Sequence, residues 1–191
     1  MKIETPYLLF LGAAQDHLQV KIANSVVDWR PDACIGEVAL PACKITKGLP
    51  QLTPAEAAER GARTFVIAAN NGGGYIEERW VPVVLEALDA GLDVAAGLHE
   101  RLVEHPEISA RASETGGRLI DVRLTAGELP IGEGEPRSGK RLLTVGTDCS
   151  VGKMYTALAL EREMLARGAD VRFVATGQCG IFVSGGGIAI D

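Results

Sequence analysis

The feature that most constrains the chain begins at Arg141. An apolar run, Arg141–Val145, leads into Gly146-Thr147-Asp148-Cys149-Ser150-Val151-Gly152-Lys153, and an amphipathic stretch, Met154–Arg167, follows before Gly168. Strand, glycine loop, Gly-Lys and helix in that order is the layout of a phosphate-binding loop. Successive backbone N–H groups curl around the anion, the helix N-terminus adds about half a positive charge, and Lys153 supplies a full one. Gly146 to Met154 are therefore the candidate cofactor-binding residues: Gly146, Thr147, Asp148, Cys149, Ser150, Val151, Gly152, Lys153 and Met154.

Two departures from the ordinary motif bear on chemistry. Five residues separate Gly146 from Gly152, where the ordinary loop has four. Met154 stands where the motif has Ser or Thr, whose hydroxyl ligates Mg²⁺ in nucleotide hydrolases. Thr156, two residues on, points another way around a helix. The phosphate cradle is present and the magnesium ligand is not evident.

Composition narrows the function classes. The chain has 191 residues, 47% of them hydrophobic, and a net charge of -6, so it is long enough for one domain or two small ones. An acidic chain is a poor match for nucleic acid, whose phosphates select basic surfaces. The 4 cysteines form no CxxC pair, which leaves little support for a structural zinc site and fits reduced thiols in the cytoplasm. Tyr7–Ala14 is apolar, but Glu4 and Pro6 precede it in place of a basic region, so it reads as a first strand and not a signal peptide. Phe173–Ile190 is uncharged over 18 residues yet holds 5 glycines, and reads as a strand and glycine loop without a membrane span.

Charge divides the chain. The first 136 residues carry 12 basic and 20 acidic side chains, and the remainder carry 7 and 5. The shift falls in a Gly/Pro/charged stretch, so residues 1–132 read as one domain, 133–140 as a linker and 141–191 as the start of a second. In the first domain, apolar runs at Tyr7–Gly12, Ala33–Val38, Thr64–Ala69, Leu92–Ala95 and Arg118–Val122 alternate with helical patterns at His17–Trp29 and Ile76–Ala90. Thr53-Pro54-Ala55-Glu56 is a helix start, with Thr53 as cap, Pro54 in the first turn and Glu56 closing a capping box. This rhythm predicts α/β architecture: a Rossmann-like parallel sheet covered by helices, then a P-loop NTPase-like α/β domain. Only two candidate strands follow Lys140, where a P-loop domain needs about five, so the second domain is expected to be incomplete within these residues.

No dinucleotide fingerprint follows the first strand. The glycine loop of the first domain is Asn70-Asn71-Gly72-Gly73-Gly74, expected at the carboxyl end of a strand, where open α/β sheets bind ligands. Asn71, Gly72, Gly73 and Gly74 are thus the substrate-binding candidates; a long turn without a ligand is the competing reading. His99 is expected at the same edge, as a catalytic base or as a structural histidine. Asp148 is a second candidate base. Cys149, at a helix N-terminus near Lys153, has the setting of a low-pKa thiol able to carry an acyl group, or is a small residue suited to a tight loop.

The strings Gly146–Leu160 and Ala175–Asp191 resemble the D-glutamate N-acetyltransferase (DgcN-type) family, once catalogued only as a domain of unknown function. Trp29-Arg30-Pro31, Leu40-Pro41, Ala57–Thr64 and Gly91–His99 resemble it too, so the likeness spans essentially the whole chain. Cys179 is a departure, since the family pattern tends to threonine after Gly-Gln. The resemblance implies a Rossmann-like domain followed by a P-loop domain, members longer than this chain, and a part for Gly177 and Gln178 in cofactor binding.

It also implies a function: acetyl transfer from acetyl-CoA to the amino group of D-glutamate or a related D-amino acid, the P-loop holding a CoA phosphate. That role needs no magnesium ligand. The spacing of the loop also resembles dethiobiotin synthetase, so an ATP- and Mg-dependent kinase or ligase is the alternative, with a non-catalytic nucleotide-sensing module as the third. The expected setting is a cytoplasmic homo-oligomer acting on a small molecule, without nucleic acid, membrane or metal.

Overall fold

In a computed structural model describing residues 2–124, 129, 131–136, 138–148 and 150–190, five strands form one all-parallel sheet. They are β1 (Tyr7–Phe10), β2 (Cys34–Val38), β3 (Thr64–Ile67), β4 (Asp93–Ala96) and β5 (Leu119–Asp121), in the order β2-β1-β3-β4-β5. All four residues of β1 and of β3 are buried, which is why these strands read as continuous apolar runs. The order reverses direction between β1 and β3, the switch point of a doubly wound sheet.

Side chains alternate across the sheet, and each face has its own cover. Leu8 and Phe10 of β1, with Phe65 and Ile67 of β3, join Trp80, Val84 and Leu88 in one hydrophobic core cluster. Phe10 stacks on Phe65 at 5.5 Å and meets Trp80 edge-on at 5.8 Å. That face is covered by α2 (Pro54–Glu59), α3 (Val81–Asp89) and α4 (Pro106–Thr115), which pack in sequence. The α2 start is the capping box read from sequence, with Thr53 Oγ1 accepting from the Glu56 N–H and Glu56 Oε2 accepting from the Thr53 N–H. Helix α1 (Lys21–Trp29), entered through a 3-10 turn at His17–Val20 that Asp16 caps, packs against α6 (Gln178–Ser184).

Helix α6 corrects the sequence reading, which made this stretch a strand and glycine loop. Its glycines and β-branched residues favour extended structure locally. Packing overrides that preference: Ile181 and Phe182 are fully buried, and the Tyr7 hydroxyl donates to the Phe182 carbonyl at 3.3 Å. Gly185, at φ +72°, then stops the helix, and its carbonyl accepts from the Ile3 N–H at 2.9 Å.

The chain separates into two compact units, Met1–Leu124 with Ala175–Asp191, and Thr125–Val174. The second contains α5 (Lys153–Ala166), where the sequence placed a helix. The strand expected over Arg141–Val145 does not form. A strand satisfies its backbone through neighbouring strands, and no described residue pairs with this segment; Leu143 and Val145 are 79% and 80% exposed.

Candidate active site

The carboxyl ends of the strands bring the candidates of the first unit together. Asn71 spends its carboxamide within its own loop, donating to the Tyr75 carbonyl at 2.9 Å and accepting from the Tyr75 N–H at 3.2 Å. Gly72 and Gly73 are exposed at the tip. Gly74, at φ +64°, accepts from the N–H groups of His99 (2.7 Å) and Glu100 (3.0 Å). A Cβ at Gly74 would overlap the His99 imidazole. The glycine loop and His99, 25 positions apart, are therefore one structural feature.

Beside His99 opens a cleft of about 280 Å³ lined by Leu98, His99, Arg101, Asp121, Arg123 and Leu124. Asp121 Oδ1 accepts from the Leu102 N–H at 2.9 Å. Burial, opposed by that hydrogen bond and by the charge of Arg101, pushes the Asp121 carboxyl above its ordinary value. Gln178 is bonded to one of these lining residues: its carboxamide nitrogen donates to the Gly97 carbonyl at 2.5 Å and its oxygen accepts from Arg123 Nη1 at 3.0 Å, an orientation set by those partners. Gln178, expected from the resemblance to help hold a cofactor, thus sits in the unit of the Rossmann-like sheet, as does Gly177, the residue before α6.

Arg101, Asp121 and Arg123 were missed by sequence reasoning. The rule that singled out His99, a polar residue just past the carboxyl end of a strand, applies equally to Asp121 and Arg123 at the end of β5. A larger hollow of about 400 Å³ lies at the opposite edge, lined by Glu4, Thr5, Arg63, Gly91 and Asp93. Its Asp93 carboxylate is engaged by Arg118 at 2.6 Å, and open α/β sheets place ligands at the carboxyl edge, so the cleft beside His99 is the candidate site.

In the second unit the phosphate-loop candidates lie on one exposed turn leading into α5. Gly152 caps α5 at φ +95°, and Ser150 is the one described non-glycine residue with positive φ, at +56°. Such conformations turn consecutive N–H groups toward one side, the arrangement that binds anions. Lys153 Nζ donates back to the Asp148 carbonyl, and Thr144 Oγ1 donates to the Lys153 carbonyl at 3.0 Å. A Cβ at Gly146 would come within 2.7 Å of Val151, so the loop closes only over glycine there. Thr147, Asp148 and Val151 are exposed, and Met154 is half-buried in the first turn of α5 without a hydroxyl to offer a metal. This backbone and lysine fit a phosphate group. Cys149 lies outside the described residues. Among the described residues no group of three or more His, Cys, Asp or Glu side chains is placed to hold a metal, and no helix is long and apolar enough to cross a membrane.

Comparison with known proteins gives these features a family. Residues 33–125 match the domain of unknown function DUF1611_N, described as a Rossmann-like domain, and residues 130–191 match DUF1611_C, described as a P-loop domain. A protein of a Pseudoalteromonas species, named D-glutamate N-acetyltransferase, is 47% identical over 191 residues, all of this chain and 58% of that protein. One of the same name from Tritonibacter scottomollicae is 51% identical over 189 residues, 99% of this chain and 57% of its own. The chain thus spans somewhat over half the length of these curated relatives. A crystal structure of a DUF1611 family protein from Anabaena variabilis superposes with a TM-score of 0.80 at 26% identity, over 97% of this chain and 57% of that one. The chain belongs to the DUF1611 family, joining a Rossmann-like domain to a P-loop domain.

Proposed function

We propose that the protein is an N-acetyltransferase that moves acetyl from acetyl-CoA to the amino group of D-glutamate or a related D-amino acid. The observation that carries this reading is a glycine loop with Gly152 and Lys153 opening α5 and Met154, which lacks a hydroxyl, next. A phosphate of CoA needs the cradle and no metal. The two relatives named D-glutamate N-acetyltransferase, alike over nearly the whole chain, support the same assignment.

Acetyl-CoA supplies the activated acyl group. In the transfer the amine nitrogen attacks the thioester carbon, a C–N bond forms, the C–S bond breaks and the sulfur leaves with its electron pair. The chain's part is to hold the phosphate at Ser150–Lys153, to orient the amine, and to accept the proton that the nitrogen sheds. We assign that last task to His99, at the mouth of the cleft, with Asp148 as the alternative in the P-loop unit. The setting proposed is the cytoplasm, with a homo-oligomer acting on a small molecule.

Calorimetric titration of the full-length protein with acetyl-CoA, then with ATP with and without magnesium, tests the reading. Binding of acetyl-CoA without metal, with thiol release on adding D-glutamate, is expected. Magnesium-dependent ATP binding with no thiol release would overturn it in favour of a ligase or kinase, the reading that the five-residue loop spacing favours.

A further inference from the structure

The cleft at the ends of β4 and β5 has a recognisable chemistry. At about 280 Å³ it lies near the small end of ligand sites, which run roughly 300–1,000 Å³. It suits a molecule of amino-acid size, and a nucleotide cofactor would not be enclosed by it. Two guanidinium groups, Arg101 and Arg123, line it, and a guanidinium fork matches the two oxygens of a carboxylate. Among the described lining residues Asp121 is the one acidic side chain, and Leu98 and Leu124 give the cleft apolar surface.

The arginines differ in how they are held. Arg101 is an exposed side chain 3.5 Å from Glu104. Arg123 donates to Gln178, and Gln178 is itself fixed on the Gly97 carbonyl. That chain of contacts orders the Arg123 fork before a ligand arrives, which lowers the entropy cost of binding.

Resting on the acetyltransferase reading, we infer that this cleft is the acceptor pocket: Arg123 and Arg101 hold the carboxylates of an acidic amino acid, and Asp121 pairs with its ammonium. His99, tied to Gly74 at the mouth, then lies beside the nitrogen to be acetylated. The raised Asp121 carboxyl is consistent with this pairing, because a ligand ammonium restores its charged form. Arg123 is the specificity residue, selecting an acidic side chain over its neutral amide.

The test is calorimetric, on the full-length protein, with D-glutamate, D-glutamine and acetyl-CoA as ligands. The unmodified protein is expected to bind D-glutamate at least tenfold tighter than D-glutamine. Arg123→Gln should erase most of that preference and Arg101→Gln part of it, both leaving acetyl-CoA affinity unchanged; a general structural fault would not move the ratio. Because Arg101 is exposed, its variant carries the test if Arg123→Gln does not fold. An intact preference in the folded variants overturns the pocket while acetyl transfer stands. If instead no D-amino acid triggers thiol release, yet D-glutamate binds in an arginine-dependent way, the acetyltransferase reading fails and the pocket holds.

Discussion

The carboxamide of Gln178 rests on the backbone of Gly97, 81 positions earlier in the chain, and there is no room between them for a methyl group. Gly97 follows β4 directly, so α6 enters the first unit against the carboxyl edge of the sheet. One glycine thereby seats the helix start and, through Gln178, sets the direction of Arg123.

Gly97→Ala is the direct probe of that relationship. The added Cβ meets the Gln178 carboxamide in a buried position, and overpacking of this kind costs about 1–3 kcal/mol. Denaturant unfolding should show a loss in that range, and Gln178→Ala combined with it should recover part of the loss by making space. Equal stability of Gly97→Ala and the unmodified protein would mean that α6 is not seated there.

A second prediction concerns Glu37, fully buried on β2. Its carboxylate accepts from Thr46 Oγ1 and Gln51 Nε2, both at 2.5 Å, and from the Lys47 N–H at 2.7 Å. Three donors from one loop converge on one acceptor group, so the loop after β2 is strapped to the sheet. Glu37→Gln replaces one acceptor oxygen with a donor facing donors, and leaving a buried group unsatisfied costs about 1–3 kcal/mol. The measurement is thermal unfolding, with limited proteolysis expected to cut first at Thr46–Gln51.

A third prediction concerns alkaline pH. Burial pushes the Tyr7 phenol from 10.0 up to about 12, and the Cys34 thiol from 9.0 up to about 12. The folded chain keeps these protons where the unfolded chain has released them. Their contribution is therefore intact below about pH 9 and is lost as pH rises from there toward 12. Tyr7→Phe should flatten the fall above pH 10 while losing the bond to the Phe182 carbonyl. A melting temperature that drops equally in both proteins would contradict the burial of this phenol.

Much of the sheet was legible in the sequence, for a physical reason. Strands buried on both faces are largely apolar, so β1 and β3 stand out as runs broken only where Thr64 bonds the Glu4 carbonyl, and the cap at Thr53 is a local signal that needs no tertiary knowledge. Helix α6 was not legible, because its helicity comes from Ile181 and Phe182 being buried within the first unit, far from their neighbours in sequence. Nor was the absence of a strand at Arg141–Val145, since a strand is decided by its neighbours. The cleft was half visible: His99 stood out, but Arg101, Asp121 and Arg123 acquire meaning only where β4 and β5 lie side by side. The bond from Gln178 to Arg123 spans 55 positions and has no sequence signature at all.

The last prediction addresses the phosphate loop, through Lys153 and Met154. Lys153 lies in the first turn of α5 with its ammonium turned back over the loop toward the Asp148 carbonyl, the place an anion's charge would be met. Lys153→Ala should weaken acetyl-CoA binding by about 1.5–3 kcal/mol, the usual worth of a hydrogen bond to a charged group, or roughly ten- to a hundredfold in affinity. D-Glutamate binding should be unaffected in that variant if its pocket is the cleft of the first unit. Met154→Thr adds the hydroxyl that ordinary loops use for Mg²⁺. It is expected to introduce weak magnesium-dependent ATP binding without improving acetyl transfer, because CoA phosphate capture needs only the backbone and the lysine. Unmodified protein should accordingly transfer acetyl without added magnesium, with ATP hydrolysis at background in the same buffer. Strong magnesium-dependent ATP turnover by the unmodified protein would show that a hydroxyl at position 154 is not required for metal use, and the loop would then be assigned to ATP.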